Sequence, residues 1–199
     1  MNAFGVVREF ENAVAEYSGA KYAIAVNSGT SALFLSMVCA AKDYVTLPAR
    51  TFISVPMAAR HAGLHVFFDD YAWSGVYRLA PWNIVDGALR FRRGMYEGGL
   101  HCLSFQARKI LNIGEGGMVL TDDPKAAKWL RCASYSGRDE EHGFSIEEVS
   151  MLGWQCYMTP EKAARGLHLM GYIGDGEPDQ IVEYPDLRKA KVFNVIHPN

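Results

Sequence analysis

The sequence predicts an α/β fold with a mostly parallel sheet sandwiched between helices. Three observations predict it. Short apolar runs alternate along the chain with stretches of helical period. Most of those runs are continuously apolar, as strands covered on both faces are. Unusual polar residues gather just after them, at Asn27 to Ser31, Pro48 to Phe52, Asp86, and Ser104 to Lys109. Sheets of this kind place their ligands at those carboxyl ends.

The elements follow in order. Phe4 to Tyr17 has Val7, Phe10, Val14 and Tyr17 on one helical face, and Gly19 ends it. Tyr22 to Val26 is a short apolar run between turn residues, hence a buried strand. After NSGTSAL, Ser31 to Ala41 is helical. Tyr44 to Leu47 is the next strand, closed by Pro48. Thr51 to His61 has helical period and stops at Gly63, although Pro56 opposes a helix there. His65 to Phe68, Trp82 to Val85, His101 to Phe105 and Met118 to Leu120 are further strands. Asp123 caps a helix from Pro124 to Ser134, with proline at its first position. Thr159-Pro160-Glu161 opens another in the same way, running to about Ile173. GDGEPD is then a turn cluster. The chain divides into a domain over residues 1–173 and a polar tail over 174–199, expected as an arm or a loosely docked segment.

Composition narrows the function classes. The chain of 199 residues is 49% apolar and 21% charged, long enough for one domain with a core. A net charge of -2 without basic runs disfavours a nucleic-acid partner. No apolar run spans a bilayer and no secretory signal is visible, so a cytoplasmic protein without a membrane partner is expected. Cys39, Cys102, Cys132 and Cys156 are widely spaced, which suggests reduced thiols. No Cys/His cluster has metal-ligand spacing, so no metal is expected. The histidines are scattered and read as surface or packed residues. Asp69-Asp70 and Asp122-Asp123 read as loop and cap carboxylates.

Three groups carry chemistry. NSGTSAL, between a strand and a helix, leaves backbone N–H groups and the Thr30 hydroxyl at a helix N-terminus, which suits a phosphate dianion. A plain N-cap turn reads the same way, and no GxxxxGK supports a nucleotide loop. Asp86, at the end of a buried strand, must be paired or solvated; it either holds a proton on a heterocyclic nitrogen or caps a turn. Lys109 sits between a strand and a Gly-rich turn, in SFQARKILNIGEGGMVLTDD. It is either solvated or desolvated enough to form a Schiff base with a carbonyl. Ser104 adds a hydroxyl at the same strand end. A phosphate cradle, a carboxylate for a ring nitrogen and a lysine for an aldehyde are the groups that pyridoxal 5'-phosphate requires.

From Phe10 to Ile173 the sequence resembles the DegT/DnrJ/EryC1/StrS family of pyridoxal-phosphate-dependent sugar aminotransferases, in the aspartate aminotransferase superfamily of fold type I. VNSGTSAL, LPARTFISVPMAARHAG, VDGA, SFQARKILNIGEGGMVLTDD, YSGRD and GWQCYMTPEKAA stand in the family's order. The resemblance implies a pyridoxal-phosphate-dependent transferase-like large domain. Lys109 then matches the Schiff-base lysine, and Asp86 the aspartate on the pyridine nitrogen. Gly29, Thr30 and Ser104 match phosphate positions, and Phe52 a residue stacked on the ring. Gln155 matches an asparagine sent into the neighbouring subunit's site, so a homodimer with shared sites is implied. The implied reaction moves an amino group from glutamate to a keto-sugar nucleotide, as in polysaccharide biosynthesis. Departures are visible. Leu89 stands where Gln or His is usual, Tyr157 replaces an arginine, and Gln106 replaces an aromatic or histidine. Relative to the family, the resemblance leads one to expect that a strand–helix unit between Tyr77 and Trp82, much of the N-terminal arm and the C-terminal small domain are missing. The alternative is a catalytically impaired relic that binds the cofactor or a partner chain.

Overall fold

The computed structural model describes residues 4–139 and 145–194. Residues 140–144 of the expected domain and 195–199 of the expected tail lie outside the described residues. Among the described residues, seven strands and six α-helices follow one another: α1 (Gly5–Ser18), β1 (Tyr22–Val26), α2 (Gly29–Ala40), β2 (Tyr44–Pro48), α3 (Ser54–His61), β3 (His65–Asp69), β4 (Tyr77–Arg78), β5 (Ile84–Asp86), β6 (Leu100–Ser104), β7 (Gly117–Thr121), α4 (Pro124–Ser134), α5 (Pro160–Met170) and α6 (Lys191–Asn194).

Five strands form one sheet in the order β1-β7-β6-β5-β4, and β2 pairs with β3 in a second, two-stranded sheet. Thr46 and Ala80 exchange backbone hydrogen bonds of 2.7 and 3.2 Å, which joins the two sheets. The α/β architecture is the expected one, but the sheet is mixed rather than mostly parallel. β5–β6 and β2–β3 are parallel; β1–β7, β6–β7 and β4–β5 are antiparallel. The connections explain this. Parallel neighbours need a long crossover, whereas β4 and β5 are joined by a short link. The turn through Gly114 and Gly116 folds β7 straight back along β6.

Helices cover both faces. Ile24 and Val26 of β1 pack with α2, α3 and α4 residues such as Leu35, Val55 and Leu130. Ala23 and Ala25 face the opposite way, into a cluster with Phe10, Val14, Leu103, Phe105 and Met118. This alternation is the period-2 consequence of the pleat. α1 and α5 lie close because Gly166 has no side chain: a Cβ there would stand 2.5 Å from the Phe10 ring. Glu11, buried on α1, accepts from the Ala25 N–H at 2.7 Å and from Arg131 Nη2 at 3.0 Å, which ties α1 to β1 and α4.

Local chemistry shifts several boundaries. Pro56 fits inside α3 because it lies in the first turn, where no intrahelical N–H donor is needed. α2 starts earlier than expected, since the Ser28 hydroxyl accepts from the Ser31 N–H at 3.1 Å. α5 stops at Met170, before Gly171.

The described part of the stretch after residue 173, residues 174–194, makes specific contacts with the rest of the fold. The Tyr17 hydroxyl donates to the Gly174 carbonyl at 2.5 Å. Arg90 makes two hydrogen bonds to Asp179, at 2.8 and 2.5 Å. Further on, Leu187 is buried and its N–H donates to the Ala49 carbonyl at 2.9 Å. Between these anchors residues 180–184 cross the ends of the strands.

Candidate active site

A cavity of about 610 Å³ opens where β5, β6 and the N-terminus of α2 meet, and its lining includes Gly29, Thr30, Phe52, Asp86, Ser104 and Lys109. Of the expected site residues, these six are brought together from four stretches of chain. Gln155 is exposed and does not line this cavity; it forms an isolated antiparallel bridge with Tyr135.

The side of the cavity at the α2 N-terminus is built by close approach. Two glycines let α2 settle onto the sheet. A Cβ on Gly29 would stand 2.7 Å from Ser104 Cβ, and one on Gly117 would stand 2.3 Å from the Ser28 carbonyl oxygen. Ser28 satisfies the Ser31 N–H with its side chain and the Ala32 N–H with its carbonyl. The N–H groups of Gly29 and Thr30 therefore face the cavity end of the helix, where the helix dipole favours an anion. Thr30 Oγ1 lies 2.7 Å from Ser54 Oγ, and Ser104 borders the same cradle. These donors fit a phosphate monoester, and α2 can approach the sheet this closely only while both glycine positions lack a Cβ.

Asp86 closes β5 and is buried, with only 5% exposure. The Ala88 N–H donates to its Oδ1 at 3.0 Å and the Tyr77 hydroxyl to its Oδ2 at 2.8 Å. Burial raises its carboxyl above the usual range, while Ala88, Tyr77 and the charge of Lys109 pull it back. Lys109 is half-buried at the head of the turn after β6, its N–H bonded to the Gln106 carbonyl at 2.8 Å. Burial lowers its ammonium below the ordinary lysine value, and Asp86 partly opposes that. An amine deprotonated more easily than in water is a better nucleophile toward a carbonyl.

The remaining wall is aromatic and apolar. Phe52 is 54% exposed on the rim, edge-on to Tyr184 at 6.3 Å. Tyr184 stacks on Trp73 with centroids 6.1 Å apart. Leu89 lines the cavity, and its carbonyl accepts from the Gln180 N–H at 2.9 Å. The Gln180 side chain donates to the Arg108 carbonyl at 2.8 Å, beside Lys109. Sequence reasoning missed Thr51, Ser54, Tyr77, Gly117 and residues 180–184. The hydroxyls of RTFIS were a usable signal for the first two. Tyr77 reaches Asp86 only through strand pairing, which no local pattern announces.

A three-layer α/β fold with an anion cradle, a buried carboxylate and a desolvated lysine around one cavity has the layout of a pyridoxal-phosphate enzyme's large domain. The chain belongs to the DegT/DnrJ/EryC1/StrS aminotransferase family, whose profile matches residues 4–76 and 93–176. The unmatched stretch between them holds β4, β5 and Asp86, so Asp86 is placed by the structure and not by the profile. Among curated relatives, the spore coat polysaccharide biosynthesis protein SpsC of Bacillus subtilis is 27% identical over 85% of this chain and 57% of its own. GDP-perosamine synthase of Caulobacter vibrioides is 27% identical over 94% of this chain and 62% of its own. The chain thus spans about three-fifths of these relatives' length. Solved structures share the fold. NtdA from Bacillus subtilis, with bound cofactor PMP, superimposes with a TM-score of 0.71 at 21% identity, over 84% of this chain and 48% of that one. DesI in the presence of its TDP-sugar product gives 0.65 at 24% identity, over 84% and 54%.

Proposed function

We propose that the chain binds pyridoxal 5'-phosphate through Lys109 and transfers an amino group from glutamate to a keto-sugar nucleotide. The observation that carries this reading is the convergence of Lys109, Asp86, Ser104, Gly29 and Thr30 on one cavity. When bound, the cofactor supplies an electron sink through which an amino group passes between carbonyl carbons. The rest is the work of the protein's own side chains. The amides of Gly29 and Thr30 and the hydroxyls of Thr30 and Ser104 hold the phosphate. Asp86 keeps a proton on the ring nitrogen, and its buried setting strengthens that charge pairing. Lys109 Nζ is the amine for the aldehyde carbon and the group that takes and returns a proton there. Phe52 covers a ring face from the rim. The segment 180–184 narrows access for water.

A nucleotide-linked sugar is supported by the family and by two relatives' names, a GDP-sugar enzyme and a polysaccharide biosynthesis protein. A homodimer belongs to the same reading, because Gln155 is exposed and outside its own chain's cavity, free to reach the phosphate of a neighbour.

The test is an absorption spectrum of the protein with pyridoxal phosphate, beside a Lys109→Ala control, followed by glutamate. A yellow band that needs Lys109 and bleaches with glutamate is expected. A Lys109-dependent band untouched by amino donors would replace transfer with binding alone. No Lys109-dependent band in the parent protein would overturn the proposal.

A further inference from the structure

A buried carboxylate stays ionised only when donors surround it. Asp86 has two in place, the Ala88 N–H and the Tyr77 hydroxyl. The Tyr77 hydroxyl lies in turn 2.7 Å from Thr51 Oγ1. All three side chains are buried, with exposures of 5% for Asp86, 5% for Tyr77 and 1% for Thr51. The direction of this chain is set by charge. An ionised carboxylate can only accept, so Tyr77 spends its single proton on Asp86. The phenol oxygen can then only accept from Thr51, and Thr51 must donate.

The three residues come from separate places. Thr51 follows β2, Tyr77 opens β4, and Asp86 ends β5 as the register partner of Tyr77. Tyr77 and Asp86 lie in the stretch that the family profile leaves unmatched, whereas Thr51 lies within the matched part. Other titratable groups face Asp86. They are Lys109 from the turn after β6, Cys102 from β6 and Tyr184 from the segment after α5. Burial pushes the Cys102 thiol and the Tyr184 phenol up, so both are neutral near pH 7. Among the described residues, Lys109 is then the nearby charge, and Tyr77 is the side-chain donor in contact with the carboxylate.

We infer that Tyr77, backed by Thr51, is a positioning residue for Asp86: it keeps the carboxylate ionised and oriented so that its remaining lone pairs serve a protonated heterocyclic nitrogen in the cavity. The purpose of this arrangement rests on the proposed function, but its test does not. The measurement is a ¹³C-carboxyl NMR titration of Asp86 in the full chain without cofactor, with the signal assigned by its loss in Asp86→Asn. Tyr77→Phe raises the Asp86 midpoint by about one pH unit or more, a tenfold or greater gain in proton affinity. Thr51→Val raises it by less. The double variant matches Tyr77→Phe alone, because Thr51 acts only through Tyr77. Replacing Tyr77 with 3-fluorotyrosine keeps the ring's shape while making the hydroxyl a stronger donor, and it moves the midpoint the other way. A residue that only packs would lower the melting temperature and leave the midpoint unmoved; that result, or additive shifts in the double variant, overturns the inference. Failure of the parent protein to bind pyridoxal phosphate would sink the proposed function and leave this titration readable.

Discussion

At the scale of single residues, burial decides what each polar group can be. His101 shows this outside the site. It lies on β6 with 3% exposure, and neither ring nitrogen has a hydrogen-bond partner among the described residues. Burial first, then the charges of Arg90 and Arg78, lower it from 6.5 to about 4. The folded protein therefore binds its proton less readily than the unfolded chain does. The stability from keeping His101 neutral is complete above pH 6.5 and is lost as pH falls toward about 4. The span corresponds to about 3 kcal/mol. Urea unfolding between those limits should show this slope in the parent protein and a flatter one in His101→Leu. Equal slopes would mean that His101 is already charged or solvated in the fold. Asp86 has the opposite sign. Its raised carboxyl makes the folded state hold a proton longer than the unfolded chain, so the cofactor-free protein loses stability as pH climbs through that raised value. At this scale Lys109, Asp86 and Ser104 were legible in the sequence because their residue types are unusual at strand ends. Tyr77 was not, since a tyrosine beside a strand is unremarkable until the partner strand is known.

Whole elements were readable where hydrophobic period and caps agreed. α1, β1, α4 and the start of α5 lie where Val7, Phe10, Val14, Asp123 and Pro160 put them. β4 was invisible, because a two-residue strand has no period of its own and exists only through its pairing with β5. The parallel majority failed for a related reason: strand direction depends on the connection between strands, and the Gly-rich stretch before β7, read as a turn, reverses the chain so that β7 runs back along β6. Glu11 gives the test at this scale. It is buried and ties α1 to the Ala25 N–H and to Arg131. Glu11→Ala leaves those groups without it and should destabilise the fold by about 3 kcal/mol in chemical denaturation. A change below about 1 kcal/mol would show that solvent takes over both partners.

At the scale of the molecule, the stretch after α5 matters most. It was expected as an arm or a loosely docked segment because its composition is polar and aperiodic. Its docking depends on ion pairs and backbone bonds with distant residues, which periodicity does not reveal. Asp179 sits between Arg90 and the bare Cα of Gly75, where a Cβ would stand 2.0 Å from its carboxylate. Removing that anchor with Asp179→Ala should open the segment and speed limited proteolysis within residues 174–190 about tenfold. Unchanged cleavage would assign the docking to Gln180 and Leu187 instead. The division at residue 173 remains a proposal, and the same digestion tests it, since a separable tail leaves a folded core after cleavage. The fold and the gathering of Gly29, Thr30, Asp86, Ser104 and Lys109 around one cavity were thus largely legible from the motifs, whereas the wall formed by Gln180, Ile181, Val182 and Tyr184 was not. The central claim is that this fold presents Lys109 to an aldehyde. The most direct measurement is borohydride reduction of the protein mixed with pyridoxal phosphate, followed by mass-spectrometric mapping of the fixed pyridoxyl group. A single label on Lys109, absent from Lys109→Ala, is the predicted result. Labels spread over surface lysines at the same level in both proteins would contradict it.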